Sequence, residues 1–565
     1  MHRRWIIQRT NNDYIDYLSR GAGISPALAQ ILINRGIKEP EAVRGFLNVE
    51  IGSLKDPFEL RGVREALRVI EKAKSGGVRV LVHGDYDVDG IASTAIMVDA
   101  LGRFGLSVDY FIPNRFEHGY GFHEECVKKA VNSGAGLIVT TDCGITAFES
   151  AQLAKRHGIE LIITDHHEPA RDGEGNPILP EAASIVNPKL HPDEPELSGT
   201  GVAFKIARAL LGDDALAYLD LAALGTIADL VPLVDENRLI AREGLSLIAQ
   251  AARPALKALK EVAVMNGREM SARLLCYTLI PRLNAPGRLE DATDAVKFLL
   301  SRDEKEAKEG AERLDRINRE RQRIEEVLYR EARDQLQGEG VDRAIVMDGA
   351  IVLAGEGWHK GVLGIVASKL TEEFYRPSVV LSVEGEAAKG SARSIPEFDL
   401  FQALTDLKEL LLGFGGHRQA AGLRLRTEMI GEFRNALSAL VRERVKEFRA
   451  TLRIDADIPI REINFNLVRE LSRLEPFGYG NPEPLLGAKG LEVVSPRVVG
   501  NGHIKLRLRH RRSNCTIDAI GFEMAHAMKS IEENFLVDAA FVPQINEWEG
   551  GRTLQLNLKG LRPSP

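Results

Sequence analysis

From Val78 to His167 the chain alternates short apolar runs with helical patterns, and this alternation leaves few folds open. VRVLV (78–82) leads to a helical stretch over 91–104, then SVDYFIP (107–113), the helical EECVKKAV (124–131), LIVTTD (137–142), a helical pattern over 147–157, and LIITDHH (161–167). Apolar runs of this length between amphipathic helices predict a mostly parallel, doubly wound sheet. In such a sheet ligands bind beyond the carboxyl ends of the strands. The chain places its chemistry there. VRVLV runs into HGDYDVDG, with His83, Asp85, Asp87 and Asp89; LIVTT runs into Asp142; LIIT runs into Asp165, His166 and His167.

Each of these acids alone reads as a cap or a surface turn. Carboxylates and imidazoles at three matching strand ends read as a cation site, because like charges at close range repel unless something cationic sits between them. Asp229 sits in the otherwise apolar LGTIADLVPLV, where a lone carboxylate is costly unless it is paired. His83, Asp87, Asp89, Asp142, His166 and Asp229 make six candidate ligands, too many for one open catalytic ion. The count suits two ions sharing a carboxylate, the arrangement that activates water and stabilises a leaving oxygen in phosphoester hydrolysis. Oxygen and imidazole donors favour manganese or magnesium over a sulfur-seeking metal, and do not choose between the two.

At 565 residues the chain needs three or four domains. Four scattered cysteines with no CxxC pair argue against a disulfide framework or a zinc site and fit a reducing, cytoplasmic setting. No membrane span or signal peptide is expected. A net charge of -7 gives no global sign of nucleic acid, so any such binding falls to local basic surfaces.

HGDYDVDG, the acid of TTDCG, ITDHH and GTIADLVPL together resemble the DHH phosphoesterase superfamily. The extended first motif and the length resemble its bacterial single-strand-specific 5′ to 3′ DNA exonucleases. The resemblance implies that His83, Asp87 and Asp142 hold one metal and Asp89, Asp142, His166 and Asp229 the second, with Asp142 bridging. It implies that His167 faces the scissile phosphate and that Asp165 orients a histidine. Whether Asp85 binds metal or supports it stays open.

The rest of the chain offers candidate substrate contacts. IPNRFEHGYGFHEE (112–125) follows a strand end, so Arg115 is a candidate for phosphate and Phe116, Tyr120 and Phe122 for stacking; an ordinary glycine-rich loop with a solvated arginine is the plain alternative. SIVNPKL (184–190) and SGTGVAFK (198–205) resemble stretches that flank the family site, and the second opens a helix that either binds an anion or caps itself. PRLNAPGR (281–288) reads as a Pro/Gly-bounded loop presenting Arg282, Asn284 and Arg288 to a nucleic acid backbone. AKGSARSI (388–395) and GFGGHRQAAG (413–422) resemble the DHH-associated domain. There Ser391, Arg393, Gly416 and His417 suit a 5′ phosphate, with His359 and Lys360 nearby in WHKG. In HIKLRLRHRR (503–512), period-two alternation puts Lys505, Arg507 and Arg509 on one strand face and Ile504, Leu506 and Leu508 on the other, as in an oligonucleotide-binding β-barrel. EPFGYGNPEPLL (475–486), with Phe477 and Tyr479, resembles the family's link into that barrel.

The expected architecture is multidomain α/β. An N-terminal helical segment (1–75) packs on a parallel-sheet DHH domain (76–250). A helical connector with one long, solvated helix (251–340) leads to a smaller α/β DHH-associated domain (341–450) and a C-terminal OB-fold (451–565). The expected activity is metal-dependent 5′ to 3′ degradation of single-stranded DNA to mononucleotides in repair and recombination, by a cytoplasmic monomer. The resemblance implies a single-strand-binding protein and a helicase as partners. A phosphodiesterase for short oligonucleotides or cyclic dinucleotides and a non-enzymatic replication scaffold are the alternatives. The added barrel weighs against the first and the full ligand set against the second.

Overall fold

The computed structural model describes residues 3–117, 119, 121–265, 267–337, 349–500, 502–510, 515–529, 534–548 and 551–564. The chain forms two compact units, one of Asp56–Asp229 with Gly244–Ala450, the other of His2–Lys55, Leu230–Glu243 and Thr451–Pro565.

The first unit is built on a five-stranded sheet of β1 (Arg79–His83), β2 (Val108–Phe111), β3 (Ala135–Thr141), β4 (Glu160–Thr164) and β5 (Ser184–Val186). Its order is β2-β1-β3-β4-β5 and every pairing is parallel. The chain therefore crosses from one side of β1 to the other between β2 and β3, and the switch point lies between the ends of β1 and β3. Register aligns those ends, since His83 pairs with Thr140 and Thr141 with Thr164. The central strands are buried on both faces, as an apolar run in a parallel sheet requires.

Helix α1 spans Val88–Phe104, three residues longer at its start than the apolar pattern predicts. The extension has a local cause. Asp87 is the N-cap, and its Oδ1 accepts from the backbone N–H of Asp89 at 3.0 Å and of Gly90 at 3.1 Å. Gly90 has no Cβ because one would lie 2.6 Å from the Asp85 backbone. PRLNAPGR is not a loop but two short helical turns, Leu279–Asn284 and Pro286–Leu289; proline at a first helical position is compatible with the turn.

The long helix, Glu304–Gln337, is less solvated than expected. Ala307, Ala311, Leu314, Ala332 and Leu336 are buried, together with Asp315, Asn318, Arg321 and Glu325. The polar residues tolerate burial because they pair: Arg321 donates to Asn318 and Glu325, and Asp315 accepts from Arg282. Beyond it lies a mixed sheet ordered Gly413–His417, Ala420–Arg426, Ala387–Arg393, Ser378–Glu384, Ile351–Glu356.

In the second unit, strands Leu486–Val499, His503–His510, Cys515–Gly521, Gly551–Pro563 and Leu536–Trp548 pair in that order, and the last pairs with the first to close a barrel. Residues 3–55 belong here. Strand Arg4–Ile7 pairs in parallel with Thr451–Ile454, and Leu28, Ile31 and Leu32 share a core with Leu486, Leu506 and Phe541. The expected single segment over 1–75 divides between the two units. Helix Val63–Ser75 lies in the first unit and residues 3–55 in the second, because the apolar faces of the first helices are used in the barrel's core.

Candidate metal centre

At the carboxyl edge of the parallel sheet, His166 Nε2 lies 3.1 Å from Asp142 Oδ1, 3.5 Å from Asp229 Oδ2 and 3.7 Å from Asp89 Oδ2. Asp85, Asp87 and Asp142 form a second group whose carboxylate oxygens lie within 4.8 Å of one another. Five carboxylates thus meet in one small volume, most of them buried.

The backbone is shaped for this crowding. Asp142 follows β3 with φ of 63°, in the left-handed region that aspartate tolerates better than most residues. Helix α2 (Gly199–Leu211) points its N-terminus at Asp89: Gly199 N–H donates to Oδ2 at 2.6 Å, and Thr200 donates to Oδ1 through N–H at 2.9 Å and Oγ1 at 2.7 Å. Ser198 meanwhile caps the helix through Gly201 N–H. The alternative of anion binding or self-capping thus resolves into both, and the anion is the chain's own Asp89. A Cβ on Gly199 would lie 2.6 Å from the Asp142 side chain, and one on Gly225 2.2 Å from Asp89 Oδ1.

The electrostatics of the site are those of crowded, buried carboxylates. Burial, then the neighbouring carboxylates, holds Asp142 and Asp85 well above the ordinary carboxylate range; Asp87 is also raised, and Asp229 is pushed up to about 8. Burial lowers His166 against the attraction of Asp89. Asp85 Oδ1 is buried and meets no protein donor among the described residues. His83 Nε2 faces the Gly121 carbonyl at 3.0 Å. A carbonyl only accepts, so Nε2 carries the proton and Nδ1 has the lone pair that a metal ligand needs. These donors are oxygen and imidazole nitrogen, several oriented by their own hydrogen bonds, and a divalent cation would compensate the shared negative charge. The residues present fit one.

One consequence is measurable. A carboxyl raised from about 3.8 to about 8 holds a proton in the folded protein that the unfolded chain has lost, so stability falls as pH rises through that window. In chelator, the thermal midpoint is expected to drop between about pH 5 and about pH 8, and Mn²⁺ is expected to restore it at the upper end. A midpoint in chelator that stays flat with pH, unaltered by Mn²⁺, would contradict this reading of the cluster.

Asp165 sits behind the cluster. Its Oδ1 accepts from His167 Nδ1 at 2.8 Å and from the His166 and His167 backbone N–H, and its Oδ2 accepts from Ile145 N–H. Burial works against a cation at His167, yet the hydrogen bond and charge of Asp165 push its pKa to about 9. His167 and Asp165 line a cleft of about 920 Å³, and Gly416 and His417 of the mixed sheet line it too. Arg115, Arg288 and Arg393 form a cationic group. Burial lowers the proton affinity of Arg288 and Arg393, and the charge of Arg115 lowers both further. Ser391 Oγ and Arg393 Nη2 both lie near the Cα of Gly364, where a Cβ would be 3.6 and 2.9 Å from them.

Residues 79–226 match the DHH family, N-terminal domain, 347–443 the DHHA1 domain, and 454–560 the RecJ OB domain. The chain is 39% identical over 566 residues to the single-stranded-DNA-specific exonuclease RecJ of Bacillus subtilis, covering 98% of this chain and 70% of that one. It is 34% identical over 574 residues to RecJ of Escherichia coli, covering 96% of each. The chain belongs to the RecJ family. RecJ of Thermus thermophilus in complex with Mn²⁺ superposes with a TM-score of 0.85 at 30% identity, covering 100% of this chain and 80% of that one; the same protein has also been solved with Mg²⁺. The resemblance drawn from the motifs is borne out, as is the architecture of a parallel-sheet DHH domain, long helix, DHHA1 domain and OB barrel.

Not every candidate residue of this RecJ-family chain stands where the sequence suggested. Arg282 pairs with Asp315 at 2.9 Å and donates to the Thr278 carbonyl, and Asn284 Oδ1 accepts from Val88 N–H; both side chains are used inside the fold. Lys360 pairs with Glu384 at 2.6 Å. Phe122 is buried edge-on against His83, so it supports that ring rather than a base. Phe116 packs edge-on against His359, and Arg115 lies over the Tyr86 ring. Tyr120 falls outside the described residues. On the barrel, Ile504, Leu506 and Leu508 are buried while Lys505, Arg507 and Arg509 face outward, Arg509 pairing with Glu492 at 3.0 Å. The donors that hold Asp89 were not anticipated individually; the SGTG turn was their only signal.

Proposed function

We propose that this chain is a metal-dependent 5′ to 3′ exonuclease that degrades single-stranded DNA to mononucleotides. The observation that carries the reading is the convergence of Asp89, Asp142 and Asp229 on His166 Nε2 at the switch point of a parallel sheet. In it, His83, Asp87 and Asp142 would hold one divalent ion, and Asp89, Asp142, His166 and Asp229 would hold a second. Asp85 belongs with the first set, since its oxygen groups with those of Asp87 and Asp142. The chemistry that two Mn²⁺ or Mg²⁺ ions would supply there is activation of water and stabilisation of the departing phosphodiester oxygen.

The chain's own groups orient the substrate around that centre. His167, its Nδ1–H held by Asp165, presents positive charge and a proton at the cleft where the scissile phosphate would lie. The mutual repulsion of Arg115, Arg288 and Arg393 is relieved by an anion, and a 5′ phosphate supplies one. Ser391, Gly416 and His417 flank the same end. Single-strand preference needs no base-edge code, and the outward Lys505, Arg507 and Arg509 of the barrel offer a further strand of phosphates their charge. Unpaired DNA in repair and recombination is the natural substrate of such a monomer, which would work in the cytoplasm beside a helicase and a single-strand-binding protein. No helix of the described residues is long and apolar enough to cross a membrane.

The test is digestion of one end-labelled oligonucleotide as single strand and as duplex, with and without a 5′ phosphate, in Mn²⁺. Mononucleotides are expected from the 5′ end of the single strand. Release from the 3′ end, or equal rates on both forms, would overturn the proposal. Arg393→Ala is expected to reduce the preference for a 5′-phosphorylated end about tenfold while leaving the Mn²⁺ requirement unchanged, read as the ratio of kcat/KM for the two ends.

A further inference from the structure

The segment PRLNAPGR belongs to the helical connector, yet it is built against the backbone of the first metal motif. Leu283 and Ala285 are fully buried, and Arg282 is pinned to Asp315 of the long helix. Gly287 approaches so closely that a Cβ there would stand 2.3 Å from the Tyr86 carbonyl oxygen. Asn284 then reaches the next peptide, where its Oδ1 accepts from Val88 N–H at 3.0 Å.

That contact completes an accounting at the start of α1. The first N–H groups of a helix have no intrahelical acceptor. Here Val88 N–H goes to Asn284, while Asp89 N–H and Gly90 N–H go to Asp87 Oδ1. Asp87 therefore caps with Oδ1, and its carboxylate also lies within the group it forms with Asp85 and Asp142. Without Asn284, Val88 N–H loses its acceptor 3.0 Å away, next to the residue that caps the helix.

We infer that Asn284 is a positioning residue for the metal centre: by taking the Val88 N–H it fixes the cap geometry that holds the Asp87 carboxylate beside Asp85 and Asp142, within reach of a cation. The inference rests on the reading of Asp87 as a ligand. It assigns a role in metal retention to a residue whose type and place in the sequence suggested contact with DNA.

The experiment compares Mn²⁺ binding to the full-length wild type with Asn284→Ala, Asn284→Leu and Asn284→Asp, by calorimetry and by the electron paramagnetic resonance of Mn²⁺. Alanine and leucine lack the acceptor, and leucine keeps the volume; aspartate keeps the acceptor. Both apolar variants are expected to bind Mn²⁺ about tenfold or more weakly and to need correspondingly more Mn²⁺ for half-maximal rate, with KM for the oligonucleotide unchanged. Aspartate is expected to restore Mn²⁺ affinity to within about threefold of wild type. Wild-type affinity in the leucine or alanine variant, or an aspartate variant as weak as leucine, overturns the inference. If alanine does not fold, leucine and aspartate decide it. A wild type that binds no Mn²⁺ would instead sink the metal-centre reading on which the inference stands.

Discussion

Replacing Asp142 with alanine is expected to lower kcat on single-stranded DNA by roughly 10³-fold or more in Mn²⁺, with little change in KM for the strand. Asp142 belongs to both groups of candidate ligands, so its loss disturbs the two sets together, whereas loss of Asp229 disturbs one. Asp142→Asn sharpens the result, because it keeps the shape and removes the charge. The same substitution is expected to raise the thermal midpoint of the metal-free protein by about 2–4 °C, since burial and the charges of Asp89 and Asp87 disfavour a carboxylate there. Activity down and metal-free stability up is the sign of a cluster held for a ligand rather than for the fold. Nuclease activity surviving in Asp142→Ala, or a metal-free midpoint that falls in Asp142→Asn, would contradict the assignment.

The parts legible in the sequence share one property: each is periodic or local. The alternation after Val78 announces a parallel sheet because doubly buried strands read as short apolar runs, and the strand-end acids then fall on one edge by geometry. The barrel strand at His503 is equally plain, since alternation sends Leu506 inward and Arg507 outward. What the sequence hid depends on partners far along the chain. Arg282 looked like a surface cation until Asp315, 33 residues away, took its guanidinium. Asn284 is 196 residues from the Val88 N–H it satisfies, and no local pattern marks that contact. Thr200 was visible only as part of a helix start, and its carboxylate partner lies 111 residues earlier. The first helices carry an apolar face, and nothing in that face says which core will take it. Strand Arg4–Ile7 pairs with Thr451–Ile454, at the far end of the chain.

A second large effect is expected from Asp165 and His167, and it should be non-additive. Asp165 sits at the wall of the cleft, but its carboxylate is directed to protein donors. It is buried, and its acceptor capacity goes to His167 Nδ1, to the backbone of His166 and His167, and to Ile145 N–H. Its action on the reaction therefore passes through the imidazole. Against burial, which raises it, the hydrogen bond from His167 holds Asp165 below its ordinary value, while the same bond holds His167 at about 9. The pair is thus an imidazolium on a buried carboxylate, and a ring turned by that carboxylate toward the cleft. His167→Ala is expected to lower kcat by about 10²–10³-fold, and Asp165→Asn by a similar factor, because the amide neither stabilises the cation nor fixes the ring as the carboxylate does. The double variant should then be no slower than the slower single one. A coupling energy of about 3 kcal/mol in a double-mutant cycle follows if each single loss is near 10²-fold. Independent groups would multiply their losses to about 10⁴-fold, and that result would separate Asp165 from His167 and return it to a purely structural part in the strand-end turn.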